Sequence, residues 1–498
     1  MKKVMNANRL LMLILAVICI SAVVYPVCIV GFSSQNKQGF RESIRVSDDG
    51  LIYEWYPVVA TDGKGGVYVA WFSWICYENE IWSTGIHFAY SHDWGESWSS
   101  SAKVNDDNRL SVWHSSPSIA VDQQNEHIYV TWWDNRTGKP CVYVSCSVDR
   151  GASFGTDVKV NDNEGGMSTE YAEYGTPYVV NIEADNSNVY EVWQDDRTNP
   201  NFDIYFAASQ DGGQSFGQNV KVNPESHKNN SLPWITTSKN GTIYVVYTAD
   251  GTIFLAKSLN KGAFFEPPSK VNDDEESWYR GKKEVKISNK GDIYVVWTDG
   301  RAGHSEEYGW TWDIYFALSF DGGQSFCTNI RVNDDRPAEF GYRTGQGTPS
   351  MAIDSNDGIH IFWEDLREQL ETYYHFRDIY YAYSSNPIDF SKNVKINYVS
   401  HAEVCDCADP NVAIDSANNL FVVWSDTPHD PVEYIHSIYF TKKQLSGTGS
   451  IPYLVAVGII SLILVSVITV LMRRRLLLKK PAKQKRARVN RMFQSKIY

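Results

Sequence analysis

The sequence predicts an all-β fold: a seven-bladed β-propeller of four-stranded antiparallel blades, closed by the N-terminal strand and followed by a C-terminal transmembrane helix. Three observations carry this expectation. An octapeptide, SQDGGQSF from Ser209 and SFDGGQSF from Ser319, recurs as SHDWGESW from Ser91 and SVDRGASF from Ser147, and more loosely as SLNKGAFF from Ser258 and SSNPIDF from Ser384. A β-branched stretch ending in an aromatic recurs at Trp71, Trp132, Trp193, Tyr247, Trp297, Trp363 and Trp424, seven copies spaced 50 to 66 residues apart. The last copy lacks an outer strand of its own, whereas a spare one, ESIRVSDD from Glu42, precedes the first.

Each unit holds four strands in a fixed order. The first is apolar and often opened by proline, as in PSIAVD from Pro117, PSMAID from Pro349 and PNVAID from Pro410. The second ends in the aromatic, as in IYVTWWD from Ile128 and IYVVWTD from Ile293. The third is DIYFA at Asp203 and Asp313, and the fourth follows the octapeptide and ends KVND, as at Lys103 and Lys270. All alternate with period two, are rich in β-branched and aromatic residues, and are bounded by Gly, Asn or Asp. One such sheet cannot bury both faces, but a ring of them can. After SIYFTKK from Ser437 the seventh unit has neither octapeptide nor fourth strand, so the spare strand fills the gap and removes two exposed sheet edges.

Two apolar runs flank the repeats. Leu10 to Phe32 follows Lys2, Lys3 and Arg9, and reads as a signal peptide or signal-anchor within residues 1–32. Residues 451–472 carry no charge and precede the basic tail 473–498, which reads as a transmembrane helix with a cytoplasmic tail. The expected propeller, 40–446, is then outside the cell, at the cell membrane. Whole-chain net charge is −13, but the two ends hold 14 of the 46 Lys and Arg and none of the 59 Asp and Glu. Residues 33–450 therefore carry 32 basic against 59 acidic groups, a net charge near −27. Such a surface excludes nucleic acid as a partner and admits neutral glycans or cations. No cofactor is expected, and no zinc spacing, phosphate loop or GxSxG elbow appears.

Six cysteines between the apolar ends are too few to build a domain of this size, whose core suffices without them. Topology suggests one bridge, because the loop after the second strand of blade 1 and the loop before the first strand of blade 7 are neighbours: Cys76 with Cys405 or Cys407. Asn135, Asn229 and Asn240 lie in glycan-acceptor triplets.

The octapeptides resemble the Asp-box, or BNR, repeats of the sialidase superfamily, over nearly the whole region between the apolar ends. In that family the box is a turn between third and fourth strands, which implies a structural role for Asp93, Asp149, Asp211 and Asp321. The resemblance implies further a glycoside-hydrolase chemistry with an arginine triad, a tyrosine paired with glutamate and an aspartic acid/base. The family's early RIP motif is replaced by FRES from Phe40 and SIRVS from Ser43. Seven blades with such boxes also resemble xyloglucan-cleaving endoglucanases and photosystem assembly factors more than six-bladed sialidases.

A site is expected on the face that gathers the second-to-third and blade-to-blade loops. Four blades carry WxDxR there, giving Asp134 with Arg136, Asp195 with Arg197, Asp299 with Arg301, and Asp365 with Arg367. Arginines at a mouth can hold a carboxylate bidentately and aspartates can act as acid or base, while recurrence in four blades favours an inter-blade ion pair. Unrepeated loops add Trp113, Trp278 and Tyr342 as ligand-stacking aromatics, and Glu173, Tyr174, Glu306, Glu307 and Tyr308 as catalytic candidates. Two functions follow: a membrane-anchored module that recognises a glycan or a surface protein, or a glycoside hydrolase such as an exo-sialidase.

Overall fold

The computed structural model describes residues 39–445 except 49–52, 78–80, 110–111, 164–178, 198–200, 225–228, 276, 278, 302, 306–308, 336–344, 368–376, 398–404 and 429–435. Seven four-stranded antiparallel sheets form a propeller. The innermost strands are Tyr53–Thr61, His114–Asp122, Val180–Asp185, Asn230–Thr237, Arg280–Ile287, Gln346–Ile353 and Cys405–Ile414, for blades 1 to 7 in turn. Each touches the innermost strands of both neighbours, and that of blade 7 touches that of blade 1, so the ring is complete around an axis. In blades 1 to 6 the fourth strand pairs over only two residues, as at Ala102–Lys103 and Val158–Lys159. In blade 7 that position is taken by Ile44–Arg45, with Ile44 opposite Phe440 and Arg45 opposite Tyr439.

Antiparallel order gives the ring two unlike faces. One, the mouth, gathers the second-to-third and blade-to-blade connections. The other gathers the first-to-second hairpins and the octapeptide turns. Apolar side chains pack between blades rather than within one: Tyr129, Val142 and Val144 of blade 2 cluster with Val189, Trp193 and Tyr205 of blade 3, and Phe421 and Phe440 of blade 7 with Val67 and Trp71 of blade 1. Each blade's alternation supplies one apolar set to each neighbour, which is why the sequence shows nearly continuous burial along second strands such as Ile293–Asp299.

The octapeptide turns are held by their own short side chains. In blade 3, Ser209 Oγ donates to Asp211 Oδ1 at 2.6 Å, Ser215 N donates to the same oxygen at 3.0 Å, and Gly213 N donates to Ser209 Oγ at 2.9 Å. The same bonds recur at Asp93, Asp149 and Asp321. Bonds from Ser209 and then Ser215 hold the Asp211 carboxyl down at about 2. The second glycine is required twice over: Gly262 has φ +84°, and a Cβ there would lie 2.0 Å from Phe206 of the preceding blade. The closing aromatic also crosses the boundary, with Phe154 edge-on to Phe88 at 4.9 Å and Trp98 to Phe440 at 5.0 Å.

Among the described residues no helix is long and apolar enough to cross a membrane. The signal peptide or signal-anchor expected within 1–32, the transmembrane helix expected at 451–472 and the tail 473–498 lie outside the described residues. The side chains of Cys76 and Cys405 lie outside them too; Cys407 is buried, its Sγ accepting from Asn397 Nδ2 at 3.0 Å.

Candidate functional site

The mouth has two layers, a repeated outer rim and an unrepeated axial funnel. The rim is built on the second-strand tryptophan, whose buried indole N–H needs an acceptor. Trp132 Nε1 donates to Asp134 Oδ2 at 2.9 Å, and Trp193, Trp297 and Trp363 do the same to Asp195, Asp299 and Asp365. The aspartate, itself buried, takes the arginine two residues on: Arg367 Nη2 lies 2.7 Å from Asp365 Oδ2 and Arg197 Nη2 lies 2.6 Å from Asp195 Oδ2. Each guanidinium then lies over a third-strand tyrosine, from 3.9 Å for Arg301 on Tyr315 to 4.2 Å for Arg136 on Tyr143.

The remaining donors cross the blade boundary. Arg136 pairs with Asp106 at 2.9 Å, Arg197 with Asp162 at 2.6 Å, Arg301 with Asp273 at 2.9 Å and Arg367 with Asp334 at 2.7 Å. Those aspartates are the last letter of KVND, or of its equivalent, in the preceding blade. Their second oxygens accept the backbone N–H of Asp157, Asn219, Asn329 and Asn393, which open the next fourth strand. Two motifs that look unrelated in the sequence thus meet as one rivet between successive blades. Blade 2 departs from the others by placing Asp157 where they place asparagine. Burial first, and then the adjoining Asp106 carboxyl, push Asp157 up to about 7, so near neutrality it holds a proton and imitates the amide.

The funnel is an axial cavity of about 660 Å³ that continues toward the opposite face as a second one of about 370 Å³. Its upper wall is made by bulges. In six blades the pairing of first and second strands steps over two residues, as between Trp55 and Val58 or Ala408 and Asn411. In five of the six the second residue stepped over is proline, Pro57, Pro117, Pro233, Pro349 or Pro410, which has no N–H for a ladder. The residue before it is left-handed at Tyr56 (φ 55°), Leu232 (φ 54°), Thr348 (φ 44°) and Asp409 (φ 54°). Non-glycine residues pay about 1–2 kcal/mol for that conformation, and such strain collects where side chains must be aimed. All four line the cavity.

Charge on the wall is unrepeated. From blade 5, Lys283 is 1 % exposed and its Nζ donates to Leu232 O at 3.3 Å, with no carboxylate paired to it among the described residues. Burial, reinforced by Arg280, pulls its amine down to about 7. Lys282 Nζ lies 5.8 Å from the centre of the Trp234 ring. Behind Asp409 of the opposite wall, Arg377 binds Asp406 through two bonds of 2.7 and 2.9 Å and reaches Glu364 at 3.4 Å, none of the three lining the cavity itself. Asp409 donates its N–H to Glu364 Oε2 at 3.4 Å, and burial followed by the Glu364 charge pushes its carboxyl up to about 6. Burial first, then Asp409, also raises the Tyr56 phenol, keeping it protonated at neutral pH.

Of the residues expected at the mouth, the WxDxR pairs lie on the rim and Trp113 beside it, 36 % exposed and edge-on to Trp74 at 5.4 Å. Glu173, Tyr174, Trp278, Glu306, Glu307, Tyr308 and Tyr342 lie outside the described residues. Arg41 of FRES and Arg45 of SIRVS flank or occupy the outermost strand of blade 7, where Arg41 pairs with Glu96 on the opposite face. Tyr56, Lys283, Glu364, Arg377 and Asp409 were not anticipated, although the proline opening the innermost strand marks the position of two of them. Among the described residues no cluster of His, Cys, Asp and Glu could hold a metal ion.

The fold and mouth together define a seven-bladed β-propeller with an axial funnel. It is similar to a protein of unknown function from Dyadobacter fermentans (14 % identity over 82 % of this chain and 100 % of that one, TM-score 0.49). It is also similar to the NanB sialidase of Streptococcus pneumoniae (13 %, 82 % and 71 %, TM-score 0.45) and to the α-L-arabinanase of Penicillium chrysogenum (13 %, 66 % and 92 %, TM-score 0.44). No protein-family model matches the sequence, and no curated protein sequence does.

Proposed function

We propose that the protein is a membrane-anchored propeller of the Asp-box type whose axial funnel binds a glycan, displayed outside the cell as a recognition or scaffold module. The wall of the funnel supports this: Tyr56, Trp234 and Tyr279 offer aromatic faces to the apolar faces of sugar rings, while Gln194, Asp250 and Asp409 offer hydrogen bonds to hydroxyls. The rim arginines are occupied by their own aspartates, so ligand contacts fall to the funnel. The experiment is a glycan array probed with the full chain in detergent, beside Trp234→Ala and Asp409→Asn. Binding that both substitutions abolish with the fold intact supports the reading; binding indifferent to both, or none, removes it.

A second reading, glycoside hydrolysis, is favoured by one observation. Asp409 lines the cavity and holds its proton to about pH 6 beside the Glu364 carboxyl, and an acid next to a carboxylate is the pairing glycosidic cleavage uses. Turnover of chromogenic glycosides or sialosides with a limb near pH 6, lost in Asp409→Asn, would establish it. Array binding without turnover leaves the recognition module.

A further inference from the structure

The turn face of the ring carries an apolar surface that the fold does not require. Among the described residues, the large apolar side chains at 45 % exposure or more are Trp94, Val148, Leu259, Phe264, Phe320 and Ile388. All six lie in the octapeptide turns, distributed over blades 1, 2, 4, 5 and 6. Val148, Leu259 and Phe320 take the second position of the octapeptide, between the serine and the aspartate or asparagine that make its hydrogen bonds. Blade 3 places Gln210 at that position and keeps every bond of the turn, so an apolar residue there serves no folding purpose. Isolated exposed apolar side chains are ordinary, but a set repeated by the symmetry of the ring on one face is a surface.

The chain's two ends leave from that same face. The third strand of blade 7, Ser437–Gln444, ends beside Asn419 at the first-to-second hairpin. Lys442 Nζ near that end donates to Trp94 O at 2.6 Å, in the turn of blade 1. Arg41, entering from the N-terminus, pairs with Glu96 of the same turn. Where six blades carry the octapeptide turn, the seventh carries the exit and entry of the chain. Six residues, 445–450, separate Gln444 from the uncharged run that starts at Ile451, and six more, 33–38, separate Phe32 from Gly39. Six residues reach at most about 20 Å when fully extended.

We infer that the octapeptide face rests on the lipid surface, with Val148, Leu259, Phe320 and Ile388 dipping into the headgroup region, and that the funnel opens away from the membrane. This inference depends on the membrane anchoring proposed above. A short tether at the C-terminal exit, joined by a second at the N-terminal entry where residues 1–32 are an uncleaved anchor, turns that face toward the bilayer, and apolar side chains gain from partial burial there. The ionised aspartates of the same turns, Asp149, Asp211 and Asp321, are exposed and stay at the hydrated headgroup level, and the rest of the acidic ring stays in water.

The test uses the full chain in phosphatidylcholine vesicles, in a Cys327→Ser background because Cys327 is exposed. Nitroxide labels are placed singly by Val148→Cys, Leu259→Cys and Phe320→Cys, with Trp113→Cys at the mouth as the reference. The measured quantity is the ratio of collision rates with oxygen, which concentrates in lipid, and with a water-soluble nickel chelate. Flotation with the vesicles tests the anchor separately. The expected result is flotation and a ratio at the three turn labels several-fold above that at the mouth label. Flotation with equal ratios overturns the inference and leaves the anchor standing. Spin–spin broadening at the turn labels assigns the face to a second copy of the chain and also overturns it. Failure to float removes the anchoring reading, and the inference with it.

Discussion

Arg367 and Lys283 are both cations on the mouth face, and the ring treats them in opposite ways. Arg367 is met by Asp365, Asp334, Asn393 and the Tyr380 ring, every one supplied by a repeated motif. Among the described residues, Lys283 is buried with a single carbonyl as its hydrogen-bond partner. The rim is therefore a place where charge is spent on holding blades together, and Lys283 a point of the funnel wall where it is left unbalanced. A buried charge without a partner destabilises the folded state, and it persists where something other than stability needs it.

This contrast can be broken most forcefully at the rim. Arg367→Ala leaves Asp365 buried without its cation and opens the boundary with blade 5, and is expected to cost about 3 kcal/mol in chemical denaturation while glycan binding survives. Equal loss of binding at unchanged stability would move the arginine into the ligand site. Next in size is Asp157→Asn, which installs the residue that the other rivets use. The folded pKa of Asp157 is raised from 3.8 to about 7, so the unfolded chain releases that proton first and stability falls as pH climbs between those values. The substitution should add about 2 kcal/mol at pH 8 and nothing near pH 4, read from melting curves across pH.

A smaller gain, with the opposite dependence on pH, is expected in the funnel. The folded amine of Lys283 is depressed from 10.5 to about 7, so the unfolded chain binds the extra proton between them and stability rises with pH across that window. Lys283→Met should therefore stabilise by about 1–2 kcal/mol below pH 7, the gain fading toward pH 10.5, while weakening glycan capture. A variant that is both less stable and a full binder would erase the distinction between the two layers. The smallest effect belongs to Phe320→Ser, exposed on the turn face, whose melting temperature should stay within that expected of about 0.5 kcal/mol.

How much of this was legible depended on repetition. The blades, the octapeptide turns and the WxDxR motif are written several times, and comparing copies cancels what is peculiar to each. The rivet needed one further step, because KVND and WxDxR look like separate strand endings until the ring sets the end of one blade beside the start of the next. The funnel is a different kind of object. Arg377 stands where blades 3 and 5 carry Phe202 and Trp312, and Glu364 where they carry Gln194 and Thr298. Tyr56 and Asp409 differ from blade to blade in the one letter that matters, the residue before the proline. Alternation along the strand even points such a residue the wrong way, since only the bulge turns it toward the axis.

One pairing bears on how such a chain is made. Ile438 N donates to Ser47 Oγ across 391 residues, and Ile44 lies opposite Phe440. On the ribosome, the earliest strand emerges with no sheet to join and waits until the final one is synthesised. Contacts this distant are the slowest to form, and until they do the nascent protein presents two open edges. A message truncated before Phe440 would yield six nearly finished sheets that stay unsealed, a product that quality control can recognise by its edges alone.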